Sequence, residues 1–259
     1  MCLVLIGYHV HPVYPLVIAA NRDEFFQRPT RKAGFWEDHP NVLAGRDLEK
    51  GGTWLGIDRR GRVAAVTNYR EPSRQLIDSG DLSRGFLVRD YLTGVNPVRE
   101  YLGEVARNLR RYDGFNLFAG DQQTLFFIST YMVEPASLAP GIHGISNGAL
   151  DYPWPKVLLG KSRFDGILQN TDDINEEDLF TLLADRTVPD TGPTPEAGLD
   201  IDTARLLAPI FVHGENYGTR SSTVLLCNRE GKVRFTEKSF DQDAGDAGTV
   251  TFEFTLEKK

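Results

Sequence analysis

Cys2 is the first residue of this chain able to do demanding chemistry. It follows Met1 directly, and a cysteine is small enough for the initiator methionine to be cleaved in front of it. Cleavage would leave a thiol and a free α-amine on one residue. A terminal amine titrates near ~7.7–8.0, so it can accept a proton at neutral pH, and the pair supplies nucleophile and base together. The plainer reading of Cys2 is a core cysteine at a strand start, because Leu3, Val4, Leu5 and Ile6 follow it.

Asn21-Arg22-Asp23-Glu24 comes next, four polar residues straight after an apolar run. If that run pairs with the Cys2 segment, its C-terminal end lies beside Cys2. Arg22 would then favour the thiolate, and Asp23 or Glu24 would hold the amine. The alternative is a cap with surface ion pairs. Asn68 and Asn147 each end an apolar, strand-like run, where a side-chain amide can donate to a developing oxyanion. Singly, each is more often a turn residue. Arg220 precedes the Ser221 to Asn228 run and suits a carboxylate or carbonyl partner, or a structural salt bridge.

These residues need elements to hold them. Cys2 to Tyr8 and Leu16 to Ala20 are apolar at successive positions, which predicts a hairpin covered on both faces. Leu43 to Arg46, Thr53 to Ile57 and Val63 to Tyr69 continue a β-meander, with a turn at Asp58 to Gly61. Helical spacing marks Leu82 to Leu92 and Val98 to Arg111. Strand character returns at Phe115 to Gly120, Thr124 to Thr130 and Gly141 to Ser146. Helices are expected over Pro155 to Leu168, Glu176 to Ala184 and Ala204 to Val212, with a surface loop over Val188 to Leu199. Thr223 to Asn228, Lys232 to Phe240 and Thr249 to Leu256 close the chain as strands. The order lacks regular βαβ alternation, so an α+β fold of antiparallel sheets with outer helices is expected, in a single domain spanning residues 1–259.

Several functions are disfavoured. A net charge of −7 does not suit a nucleic-acid partner, which needs clustered cations. No run approaches the ~20 apolar residues of a membrane span, and the apolar start carries no basic lead, so a soluble, cytoplasmic protein is expected. The two cysteines, Cys2 and Cys227, form no metal motif, and Cys227 reads as a buried small hydrophobe. His9 and His11 have the spacing of one strand face, but a third ligand is missing, so no metal is expected. Gly51-Gly52-Thr53-Trp54 lacks any nucleotide-loop spacing. It reads as a close backbone approach, with Trp54 lining a pocket or core.

Taken in order, Met1-Cys2, AANRDEFFQRPT, AGRD, GGTWLGI, AAVTNYREP, GFNLFAGD, GISNGALDYPWPK and YGTRSSTVLL resemble the NRDE family, which includes the eukaryotic transport and Golgi organisation protein. That family in turn resembles the N-terminal-nucleophile hydrolases of the choloylglycine hydrolase and acylase type. The resemblance implies a four-layer αββα sandwich and a nucleophile at Cys2. It implies that Arg22, Asn68, Asn147 and Arg220 take the places of those enzymes' arginines and strand-end asparagines. Those hydrolases carry an aspartate three residues after the first arginine, where this chain has Phe25, so Asp23 and Glu24 both remain candidates to hold the amine.

Two functions follow as expectations. One is hydrolysis of a carbon–nitrogen amide bond in a small molecule, without a cofactor, with Glu24, Trp54 and Tyr69 contacting substrate. The other, implied by the eukaryotic relative alone, is binding or trafficking of haem or another hydrophobic small molecule, with Trp54, Tyr69 and Trp154 lining one pocket.

Overall fold

The computed structural model describes residues 2–69, 80–132, 134–169, 173–189 and 200–257. Two antiparallel sheets lie face to face. The first has six strands, in the order β10 (Gly141–Ile145), β1 (Cys2–Tyr8), β2 (Leu16–Phe25), β11 (Tyr217–Cys227), β12 (Lys232–Phe240) and β13 (Asp246–Thr255). The second has seven: β3 (Thr30–Phe35), β4 (Val42–Asp47), β5 (Leu55–Asp58), β6 (Val63–Asn68), β7 (Phe115–Gly120), β8 (Leu125–Ser129) and β9 (Ala136–Ser137).

Alternation along each strand sorts the apolar side chains into layers. Val4, Ile6, Ile18 and Leu225 point inward to meet Ile57, Val63, Phe118 and Phe127 of the other sheet. Leu3, Leu5, Val17 and Val224 point outward, against Val157 and Phe164 of α3 (Pro155–Gln169) and Leu179 and Leu183 of α4 (Glu176–Leu183). On the far side, Ala64, Val66, Leu117 and Ile128 pack on α1 (Gly85–Thr93) and α2 (Val98–Arg107). The result is the expected four-layer αββα sandwich. Each fully buried Leu, Ile or Phe contributes about 1.5–3 kcal/mol relative to exposure, so the central strands of both sheets are doubly anchored. Among the described residues no helix is long and apolar enough to cross a membrane.

Several boundaries differ from the sequence expectation, each for a local reason. β2 runs five residues beyond Ala20, because Asn21 to Phe25 keep pairing with β11. β3 was not foreseen. Its Arg31, Lys32 and Gly34 break the apolar pattern, yet it pairs with β4 as a sheet edge. The helix expected over Ala204 to Val212 is α5 (Ile201–Leu207), capped by Asp200, whose side chain accepts from Asp202 N and Thr203 N. The expected 188–199 loop lies outside the described residues from 190 to 199. His9 and His11 do not share a strand face, since β1 ends at Tyr8. His9 is exposed, whereas buried His11 accepts from Val13 N and Tyr14 N through Nδ1, at 3.2 and 3.1 Å, as a turn acceptor.

Candidate active site

The β1–β2 hairpin places Cys2 directly opposite Arg22, and β11 places Ser221 on Arg22's other flank. Partners facing each other across a ladder share a sheet face, so the Cys2 and Arg22 side chains both project toward the second sheet. There Arg22 lies on the Trp54 ring, with its guanidinium carbon 4.2 Å from the ring centroid. Its Nη1 donates to Thr30 Oγ1 at 3.2 Å, and Nη2 stands 3.8 Å from Glu24 Oε2. The Trp54 ring has room because residue 45, facing it from β4, is glycine. A Cβ there would overlap the indole. Gly52 lies against the backbone of Gly85, whose carbonyl accepts from Thr53 N at 3.1 Å. Gly52 thus serves the close approach read from the sequence, whereas Gly51 has open space around it and takes a φ of 76°.

Cys2, Arg22, Asp23, Glu24, Trp54 and Asn68 open on one cavity of about 540 Å³, within the ~300–1,000 Å³ of small-molecule sites. Cys2 is half-buried. Burial pushes its thiol above the ordinary value and the Asp23 carboxylate adds to this, while the chain's terminal amine, a bond to the Asp23 backbone and, least of these, Arg22 oppose. The net direction is upward, so Arg22 does not by itself make Cys2 a thiolate, and the thiol needs a proton acceptor. Asp23 is buried and accepts from Thr219 Oγ1 at 2.7 Å. Burial raises its pKa, while Lys156, the Thr219 bond and Arg22 pull it down. Glu24 instead belongs to an ion-pair network. Its Oε2 is 3.8 Å from both Arg22 and Arg28, and Arg28 is bound by Asp47 at 2.6 Å. Phe25, at the spacing where an aspartate was sought, is exposed. Of the two acids, Asp23 is the one coupled to Cys2.

The two asparagines have separate tasks. Asn68 lines the cavity at the end of β6. Asn147 is fully buried and donates through Nδ2 to Asn68 O at 2.9 Å. It therefore fixes the Asn68 backbone rather than facing the cavity. Behind it, Asn116 Nδ2 donates to Gly148 O at 2.8 Å and Thr67 Oγ1 to Ser146 O at 2.6 Å, binding the two strand ends together. Arg220 is likewise absent from the cavity lining. The β2–β11 register shifts between Thr219 and Ser221, and this bulge turns Arg220 to donate through Nη1 to Phe25 O at 2.8 Å and Arg28 O at 3.1 Å. It clamps the turn that follows β2 and carries Arg28.

Tyr69 and Trp154 do not join Trp54, contrary to expectation. Adjacent residues leaving a strand point to opposite sides, and Tyr69 turns away from Asn68's cavity. It packs against Tyr131 with ring centroids 4.4 Å apart and planes tilted by 43°, and lines a different, mostly apolar cavity of about 280 Å³. Trp154 packs beside Tyr152 on the outer-helix side of the first sheet. Among the described residues no group of three or more His, Cys, Asp or Glu side chains could hold a metal ion. Met1, whose removal the expected chemistry requires, lies outside the described residues.

The sequence reading missed three participants. Arg28 and Asp47 form the ion pair at the cavity wall. Lys156, in the first turn of α3, is buried, with Nζ donating to Leu207 O at 3.0 Å and its charge acting on Asp23. Nothing in Pro155-Lys156-Val157 distinguishes it from a solvated helix lysine.

The four-layer αββα sandwich is similar in fold to solved acylase and amidase structures. The penicillin V acylase of Agrobacterium tumefaciens superposes with a TM-score of 0.55 at 13% identity, over 98% of this chain and 86% of its own. A Caenorhabditis elegans N-acylethanolamine-hydrolyzing acid amidase ortholog gives 0.52 at 12% identity, over 87% and 92%. At such identities the likeness concerns the fold. By sequence the chain belongs to the Transport and Golgi organisation 2 family, whose model matches residues 1–242. The mouse and human Transport and Golgi organization 2 homologs are each 34% identical, over 99% of this chain and all of theirs.

Proposed function

We propose that the chain is an N-terminal cysteine hydrolase cleaving a carbon–nitrogen amide bond of a small molecule. The observation that carries this is the register pairing Cys2 with Arg22, which puts the thiol, Asp23 and Asn68 on one cavity within an acylase-type fold.

In this reading Met1 is removed and Asp23 holds the freed α-amine. The amine takes the thiol proton as sulfur bonds to the substrate carbonyl carbon, and the carbonyl π electrons move to oxygen. Asn68 and backbone N–H groups stabilise that oxyanion. When the tetrahedral adduct collapses, the carbon–nitrogen bond breaks, and the ammonium gives its proton to the departing amine. Water, deprotonated by the same amine, then attacks the thioester, and collapse releases the acid and restores the thiol. A thiol raised by burial suits this sequence, because proton transfer is coupled to attack rather than completed before it. Cys2→Ala should abolish turnover of an identified amide substrate while leaving the fold intact. Full activity in that variant would refute the mechanism.

A further inference from the structure

The lining of the Cys2 cavity also specifies what can enter it. Of its nineteen described lining residues, nine carry charge: four cations and five acids. Arg22, Arg28 and Lys50, interleaved with Glu24 and Asp47, come from β2 and the turn after it and from the end of β4 and the segment after it. Asp81, Arg84 and Asp113 come from the segments leading into α1 and β7. Polar and apolar surface are nearly balanced in the wall, but the larger apolar side chains, Trp54, Val66, Leu82 and Phe86, are set among charged ones, and Trp54 has Arg22 over its ring. A long acyl chain or a fused-ring hydrocarbon would displace water from these charges and offer no polar partner in return, which is costly. The separate cavity at Tyr69 is, by contrast, mostly apolar.

Building on the hydrolase reading, we infer that the substrate is a hydrophilic amide of amino-acid or dipeptide size carrying its own carboxylate and ammonium groups. Its carboxylate faces the Arg22 and Lys50 side. Its ammonium faces Asp81 and Asp113, of which Asp113 is held by Gly80 N donating to Oδ1 at 3.0 Å. An asparagine at 113 can keep that bond while losing the charge.

The test compares two probe sets on the full chain. One contains zwitterionic dipeptides such as alanyl-glutamate, with and without N-acetylation. The other contains N-palmitoyl-glycine and a bile-acid glycine amide. Turnover is measured on the unaltered protein and binding on the Cys2→Ala variant, at low and high salt. The expected result is at least ~10-fold higher kcat/KM for the charged set, with binding weakened by salt. Asp113→Asn should raise KM for free-amine probes and leave N-acetylated ones unchanged. Cys2-dependent cleavage favouring the apolar set would overturn this inference while the hydrolase reading stood. Binding of the charged set without cleavage would uphold the ligand class and sink the hydrolase reading. Binding of neither set, or an Asp113→Asn variant with unaltered KM for free amines, would overturn the inference.

Discussion

Arg22 lies on the face of Trp54, 4.2 Å from its centroid, and this contact ties the strand opposite Cys2 to the second sheet. The guanidinium is held by Thr30 and Glu24 as well as by the ring, so its position depends on planarity as much as on charge. Arg22→Lys keeps the charge but loses the stacked fork. It should slow Cys2 alkylation and amide turnover nearly as much as Arg22→Ala, by about 10- to 100-fold. Alkylation kinetics followed by intact mass would show this, and full rescue by lysine would contradict it.

Gly45 leaves space for Trp54. Because a Cβ at this position overlaps the indole, Gly45→Ala should displace the ring, costing about 1–3 kcal/mol of stability as overpacking does. It should also perturb Cys2 reactivity from a distance. Thermal unfolding and tryptophan fluorescence of the variant would test this, and an unchanged spectrum with unchanged Tm would refute it.

Asp23 should have separable effects on the thiol and on turnover. Its negative charge helps to push the Cys2 thiol up, so Asp23→Asn should lower the thiol pKa and speed alkylation at neutral pH. A tenfold rise would correspond to about one pKa unit. Turnover should nevertheless fall, because the amine loses its anchor. The pH profile of alkylation in both proteins would check this, and slower alkylation in Asp23→Asn would contradict the account.

Glu237 in β12 faces Thr223 of β11 and Val250 of β13, and accepts from Ala33 N at 2.7 Å, bridging the two sheets. Burial lifts its carboxyl from 4.5 to about 7, opposed by the Ala33 bond and by Arg22. The folded state therefore holds a proton that the unfolded chain releases, and stability falls as pH rises from 4.5 to about 7. Glu237→Gln keeps an acceptor without the charge. Its Tm should exceed that of the unaltered protein by more at pH values above this window than below it. An equal difference on both sides would exclude the effect.

Much of this was readable from sequence because it rests on strand patterning. The apolar runs Cys2 to Tyr8 and Leu16 to Ala20 predict a covered hairpin, and the hairpin alone brings Arg22 beside Cys2. Other features depend on contacts that no local pattern encodes. Arg220 reads as a cavity residue until the bulge turns it onto Phe25 O and Arg28 O. Tyr69 follows Asn68 in sequence but leaves on the opposite side. Arg28 and Asp47 meet only because β3 folds back on β4, and β3 itself is too polar to announce a strand. Lys156 is buried by α3 docking on the first sheet, a tertiary event invisible in its neighbours.

The central claim is that Cys2 becomes an activated N-terminal residue. Intact mass of the purified protein, before and after native iodoacetamide treatment, tests it most directly. The account predicts a mass lacking Met1 and a single fast alkylation that Cys2→Ala abolishes. Retained Met1, or a Cys2 that stays unmodified while the protein is folded, would contradict it.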